Sequence, residues 1–267
     1  MTSRARRAHR GPPVIAGAVA TVAIAFFALP LIGMLERAPW GDIWGDLTND
    51  TTIDALRLSL LCSLAATALS LLFGVPLAWV LARAEFPGRR LARALVTLPM
   101  VLPPVVGGVA LFLAFGRSGF VGQHLDEWFG LRLPFSTAGV VVAETFVAMP
   151  FLVVAVEGAL RSADPRYEEA ATTLGARRLM VFRRVTLPLI APAVAAGAVL
   201  SWARAVGEFG ATITFAGSFP GTTQTMPLAI FGRFESGDLD GTIALSLVLV
   251  AVSIAVLVGL RDRWLRA

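Results

Sequence analysis

A chain of 267 residues that is 56% hydrophobic and only 15% charged falls well below the roughly 25% charged residues of a soluble globular domain. Its net charge of +5 rests on arginine alone, since none of the 23 basic residues is lysine. No basic patch interleaved with aromatics accompanies that charge, so nucleic-acid binding is excluded and a membrane protein is expected.

Six apolar runs are long enough to cross about 30 Å of hydrocarbon: Val14–Leu35, Leu58–Ala82, Leu95–Phe115, Thr137–Leu160, Ile190–Phe209 and Ile243–Leu260. Continuous apolarity without alternation predicts helices, because lipid leaves backbone groups no outside partner. The fold class is therefore an all-α polytopic membrane protein with six transmembrane helices. The first run follows a basic segment, as a signal peptide would, but its length predicts a retained span.

The arginines set the orientation. Arg4, Arg6, Arg7 and Arg10 precede the first span, Arg83, Arg89, Arg90 and Arg93 fill the second connection, and Arg161, Arg166, Arg177, Arg178, Arg183 and Arg184 fill the fourth. Arg261, Arg263 and Arg266 close the chain, whereas the opposite connections hold only Arg37, Arg117, Arg132 and Arg233. The positive-inside rule places the richer side in the cytoplasm, with both termini.

Within the spans, Pro99, Pro103 and Pro104 beside Gly107 and Gly108 predict a kinked or interrupted third helix. Ionisable residues lie in or at the edges of the spans at Arg57, Glu144, Glu157, Arg204 and Glu208. Glu157 with Arg161, and Arg204 with Glu208, are four apart and share a helix face. The second pair has two readings: mutual neutralisation, or Arg204 facing a cavity. Cys62 is alone and forms no internal disulfide, and His9 and His124 lie outside the spans, so neither metal binding nor intramembrane catalysis is expected.

The fourth connection carries "EEAATTLGARRLMVFRRVTLP", residues 168–188. Asp164 and Pro165 predict a helix start, Glu168 and Glu169 suit its first turn, and Gly175 predicts its stop, giving a helix of about 15 Å. Arg177 to Val185 reads as a second short amphipathic piece before Pro188 opens the next span. Such a segment either rests on anionic lipid or serves a partner.

The spacing favours the partner. Glu169-Ala170-Ala171, three residues, Gly175, nine residues and Val185-Thr186-Leu187-Pro188 resemble the EAA loop of ABC importer permeases, with Val for Ile as the one departure. "TLPMVLPPVVGGVALF", "TFVAMPFLVVAVEGALR", "SWARAVGEFGATITFAG" and "GTTQTMPLAI" extend the resemblance over residues 51–260, to the sulfate/molybdate importer group and within it to molybdate permeases. The resemblance implies a type I ABC importer permease fold. Its parts are a basic amino terminus (1–13), a first helix with its outer loop (14–50), a core (51–260) with a cytoplasmic coupling loop (161–188), and a tail (261–267). It implies import of molybdate, or alternatively of sulfate, thiosulfate or tungstate, by a non-catalytic homodimer. Two copies of a separate ATPase and an external oxyanion-binding protein would complete the complex in the cell membrane. Glu168, Glu169, Ala170, Ala171, Gly175, Arg178, Leu187 and Pro188 would meet the ATPase, which binds the ATP and magnesium. A chain without lysine has no phosphate-binding loop of its own and carries no cofactor.

A dianion needs a hydrated path lined with donors. Arg204, Gly207, Glu208, Phe209, Gly210, Thr212 and Thr214 are the expected path and gate, with Ser218, Thr222, Thr223 and Thr225 beyond them. The alternative for any one hydroxyl is that it caps backbone groups near a helix end. A competing class, an ion-coupled secondary transporter, predicts inverted repeats and paired acids deep in the spans; neither is visible in the chain.

Overall fold

The computed structural model describes residues 14–264. The expected amino-terminal segment 1–13 and residues 265–267 of the tail lie outside them. Helices α1 (Val14–Glu36), α2 (Ile43–Leu47), α3 (Asp50–Leu69), α4 (Val75–Arg83), α5 (Arg89–Val101), α6 (Pro104–Phe115) and α7 (Gly122–Phe129) form the first half. Helices α8 (Thr137–Ser162), α9 (Arg166–Thr173), α10 (Arg178–Val181), α11 (Leu187–Val206), α12 (Gly210–Phe215), α13 (Met226–Glu235) and α14 (Leu239–Trp264) form the second. There is no strand among the described residues.

Among the described residues, five helices are unbroken, long and apolar enough to cross a membrane: Ile15–Glu36, Asp50–Arg83, Thr137–Ser162, Arg178–Val206 and Leu239–Val256. Two of these begin well before their apolar runs. In the second, the Asn49 side chain accepts from the Thr51 N–H at 3.0 Å and caps a polar first turn that precedes the oily part. In the Arg178–Val206 helix, the segment from Arg178 is continuous with the span; the separate amphipathic piece of the sequence reading is its first turns. Both helices pass through a π-helical turn, Ser70–Gly74 and Phe182–Thr186, just before Pro76 and Pro188. A proline lacks the N–H its turn requires and its ring crowds the carbonyl four residues back. Widening the turn by one residue relieves both.

The third expected span is divided. Leu102 (φ −66°, ψ 138°) and Pro103 (φ −54°, ψ 131°) are extended between α5 and α6. Pro103 and Pro104 together remove two donors, and each forces the residue before it out of the helical region. Pro99 alone leaves α5 helical. The fifth span also stops early, at Val206, and restarts as α12 at Gly210.

Helix α8 is the hub, packed on α3, α4 and α11. Val75, Ala78, Leu81, Leu152, Val153, Val156, Leu160 and Ile190 form one buried cluster at the end that carries α9. Leu111, Leu133, Ala143, Val147, Ala211 and Phe215 form another that gathers the two half-helices α6 and α12. Small residues set the spacing: Ala66, Ala148 and Ala205 are fully buried together, and a Cβ on Gly197 would lie 3.2 Å from the Leu152 Cα. Close approach of this kind replaces the hydrophobic drive that lipid does not supply. Helix α1 stands apart, with nothing of its apolar window buried.

Candidate functional site

Two places collect the residues singled out in the sequence: the connection that holds α9, and the break between α11 and α12.

In the connection, the Asp164 carboxylate accepts from the Arg166 N–H at 3.0 Å. The helix starts at Arg166, one residue later than expected, and its eight residues span about 12 Å. It ends with the Ala176 N–H donating to the Ala171 carbonyl at 3.1 Å and the Gly175 N–H to that of Thr172 at 2.9 Å. This closure requires a left-handed residue, and Gly175 supplies it with φ +83°. A Cβ there would meet nothing within 4 Å, so the demand is conformational rather than spatial.

The two glutamates separate. Glu168 turns inward, its Oε1 accepting from Thr186 Oγ1 at 2.9 Å and Arg83 Nη2 at 3.3 Å, which ties α9 to the ends of α4 and α11. Glu169 and Ala170 are exposed, Ala171 is half-buried, and Gly175 and Arg178 are exposed. Leu187 is half-buried and Pro188 exposed at the start of α11. Leu174 is 88% exposed beside Gly175 and projects an apolar side chain from the tip. The sequence reading passed over it because the motif leaves that position unspecified.

Beneath this loop the expected Glu157–Arg161 pair is present at 3.1 Å, and a second arginine joins it. Arg93 brings Nη2 to 2.6 Å and Nε to 2.9 Å from the same Glu157 oxygen. Arg93 and Arg89 also donate to the Leu81 carbonyl, at 3.2 and 2.8 Å, and Arg89 to that of Ala82 at 3.0 Å. Orphan carbonyls at the end of α4 are thus capped by cations, which the helix dipole favours there.

At the break, Arg204 Nη1 lies 2.6 Å from Glu208 Oε2. Glu208 is 1% exposed, and its other oxygen accepts from the Ala211 N–H at 2.7 Å, so one carboxylate neutralises the span's arginine and caps α12. Gly207 is exposed and Phe209 half-buried, its ring centroid 4.8 Å from that of Phe231. A Cβ on Gly210 would come to 2.6 Å from Pro104 Cβ, and one on Gly108 to 2.7 Å from the Ala211 carbonyl. The half-helices therefore meet backbone to backbone. Glu144 on α8 is buried nearby, 1% exposed, with one carboxyl oxygen that has no partner among the described residues and Glu208 within electrostatic reach. Arg57 is exposed.

Most hydroxyls of this region are engaged in local structure. Thr214 donates to the Gly210 carbonyl at 2.8 Å; Thr223 accepts from the Phe219 N–H at 2.9 Å and donates to the Gly217 carbonyl at 3.2 Å; Ser218 accepts from Gln224 Nε2 at 3.2 Å. The Thr222 carbonyl accepts from Thr137 Oγ1 at 2.9 Å. Thr212 and Thr225 are the exceptions, buried with hydroxyls that have no partner among the described residues. On the far side of the bundle from α9, Asp126 of α7 holds Arg132 at 2.9 Å and Arg117 at 3.3 Å. The hydrogen bond from Arg132, reinforced by both guanidinium charges, keeps its carboxyl below the usual aspartate range.

A profile for the inner membrane component of binding-protein-dependent transport systems matches residues 71–266. The chain belongs to this family. The match begins within the second span, leaving α1 outside it. This permease is 49% identical, over 94% of its own length and 92% of the other, to a molybdenum transport system permease protein of Mycobacterium tuberculosis. It is 38% identical, over 85% of its length and 82% of the other, to a sulfate transport system permease protein of Salmonella typhimurium. In fold it matches the crystal structure of a bacterial ABC transporter involved in import of the polysaccharide alginate, with a TM-score of 0.73 over 95% of each chain at 20% identity. The expected fold class, an all-α polytopic ABC importer permease, is thereby established. It departs from six unbroken helices in the divided third span and in the early stop of the fifth.

Proposed function

We propose that this permease carries molybdate into the cell as the membrane subunit of an ATP-driven importer. The observation that carries the reading is the 49% identity to a molybdenum permease across nearly the whole of both chains, against 38% to a sulfate permease. Two copies of the permease, two ATPase subunits and an external oxyanion-binding protein make the working complex, with the α9 end and both termini in the cytoplasm.

In this reading α9 is the coupling helix. Its exposed face, with Glu169, Ala170 and the projecting Leu174, seats in the ATPase, while Glu168 holds the helix to α4 and α11. A movement of α9 is therefore transmitted through a hydrogen bond and an ion pair into two spans at once. The path runs by the break at Gly207–Gly210. The Arg204 charge is already balanced by Glu208, so the dianion meets water and backbone amides rather than a fixed cation. A tight cationic site would slow release; a neutral, donor-lined route passes the ion onward.

Uptake of radiolabelled molybdate by cells lacking this permease, with and without its restoration, tests the substrate. Restored uptake that excess sulfate does not suppress is expected; uptake of sulfate in place of molybdate would overturn the reading. Orientation is tested separately. In a Cys62→Ser background, a cysteine at Ser162 should react with an impermeant thiol reagent only from the cytoplasm, and one at Ser118 only from outside. The reverse pattern would invert the topology.

A further inference from the structure

The first turns of the Arg178–Val206 helix have two faces. Val181 is buried, and Phe182 lies edge-on to Trp79 of α4 with ring centroids 6.5 Å apart, so this side belongs to the bundle. The outer side is different. Arg177, Arg183 and Arg184 with Leu179 and Met180 line an open hollow of about 560 Å³.

The arginines of this hollow differ from those bound into the bundle. Arg83, Arg93 and Arg161 each pair with a glutamate, and Arg89 is spent on carbonyls. Among the described residues, Arg177, Arg183 and Arg184 have neither an ion pair nor a side-chain hydrogen bond. Three guanidinium groups around one hollow repel each other until an anion joins them. Leu179 is 68% exposed and Met180 44%, so the same hollow presents apolar surface as well.

Its depth identifies the anion. The helix has 29 residues and is about 43 Å long, against about 30 Å of hydrocarbon, which leaves its first turns at headgroup level. A free anion in water would need no apolar rim, and the face given above to the ATPase is that of Glu169, Ala170 and Leu174. We propose that this hollow binds an anionic phospholipid, its phosphate held by Arg177, Arg183 and Arg184 and the apolar Leu179 and Met180 flanking its headgroup. Guanidinium groups suit phosphate oxygens through paired donors. The site goes beyond the transport reading and does not depend on which oxyanion is carried.

The test uses the full-length permease in nanodiscs of phosphatidylcholine with phosphatidylglycerol, extracted for native mass spectrometry of the lipids that stay bound. Wild type should retain phosphatidylglycerol in preference to phosphatidylcholine. Each of Arg177→Gln, Arg183→Gln and Arg184→Gln should lower that preference about fivefold, as expected for one cation near a charged bilayer. Arg183→Lys should keep most of it, and Arg90→Gln, at an exposed arginine outside the hollow, should leave it unchanged. Excess inorganic phosphate should not displace the lipid. A photoreactive phosphatidylglycerol on wild type, which needs no variant to fold, should crosslink within residues 177–184. Absence of the preference in wild type, crosslinks elsewhere, displacement by phosphate, or an Arg90 effect equal to that of Arg183 would each overturn the proposal. So would glutamine variants that keep the lipid and instead lose an ATPase partner.

Discussion

Glu208→Gln is expected to abolish transport and to lower the thermal stability of the purified permease, and Arg204→Gln to do the same. Glu208 is almost wholly buried and lies 2.6 Å from Arg204. Removing one member of a buried pair strands the other charge, which costs about 3 to 5 kcal/mol. The lower end applies to Glu208→Gln, because Arg204 keeps 27% of its side chain exposed and reaches water. Arg204→Gln is the harsher change: it leaves a carboxylate buried beside Glu144 with no cation paired to it. Glutamine at 208 still accepts from the Ala211 N–H, so Glu208→Ala should be worse than Glu208→Gln by about 1 kcal/mol, the usual value of a helix cap. The double variant Arg204→Gln/Glu208→Gln should be more stable than either single one, since no unpaired charge remains. Unfolding midpoints of the four proteins in one detergent measure this directly. Strict additivity would show that the pair is not coupled.

Gly175→Trp should eliminate transport while leaving the permease inserted and folded. At φ +83° any side chain costs about 1 to 2 kcal/mol. The loop answers by shifting Leu174 and the end of α9, outside the hydrocarbon and away from the buried clusters. Glu169→Lys should weaken binding to the ATPase with no change in the permease alone. Glu168→Gln should act in the opposite place. It weakens the contacts to Arg83 and Thr186 and should speed hydrogen exchange in α9 of the isolated permease. Full transport by Gly175→Trp would remove α9 from the coupling role.

What the sequence made legible follows from distance along the chain. Arg204–Glu208 and Glu157–Arg161 are one helical turn apart, so spacing alone found them. Arg93 and Arg83 reach glutamates 64 and 85 residues away, and no local pattern announces a partner that only folding brings near. Apolar runs marked the oily part of each span but missed the capped polar start at Asp50. They also read Arg177–Val185 as a separate piece, because a π-turn keeps a helix continuous through a stretch that composition marks as a boundary. The prolines signalled a break in the third span without fixing its place: Pro99 is tolerated, whereas the Pro103–Pro104 pair is not. At the fifth span, Gly207 and Gly210, expected in the path and gate, flank the interruption. The division of labour among the hydroxyls was hidden, since capping and lining demand the same residue types.

The central claim, that this chain couples a partner's ATP hydrolysis to passage of molybdate, is tested most directly in proteoliposomes holding the permease with its ATPase. ATP hydrolysis is measured as binding protein is added empty, loaded with molybdate, or loaded with sulfate. The account predicts strong stimulation by the molybdate-loaded protein, loss of that stimulation in Gly175→Trp, and little response to sulfate. Stimulation by sulfate and not by molybdate, or hydrolysis indifferent to both ions, would contradict it.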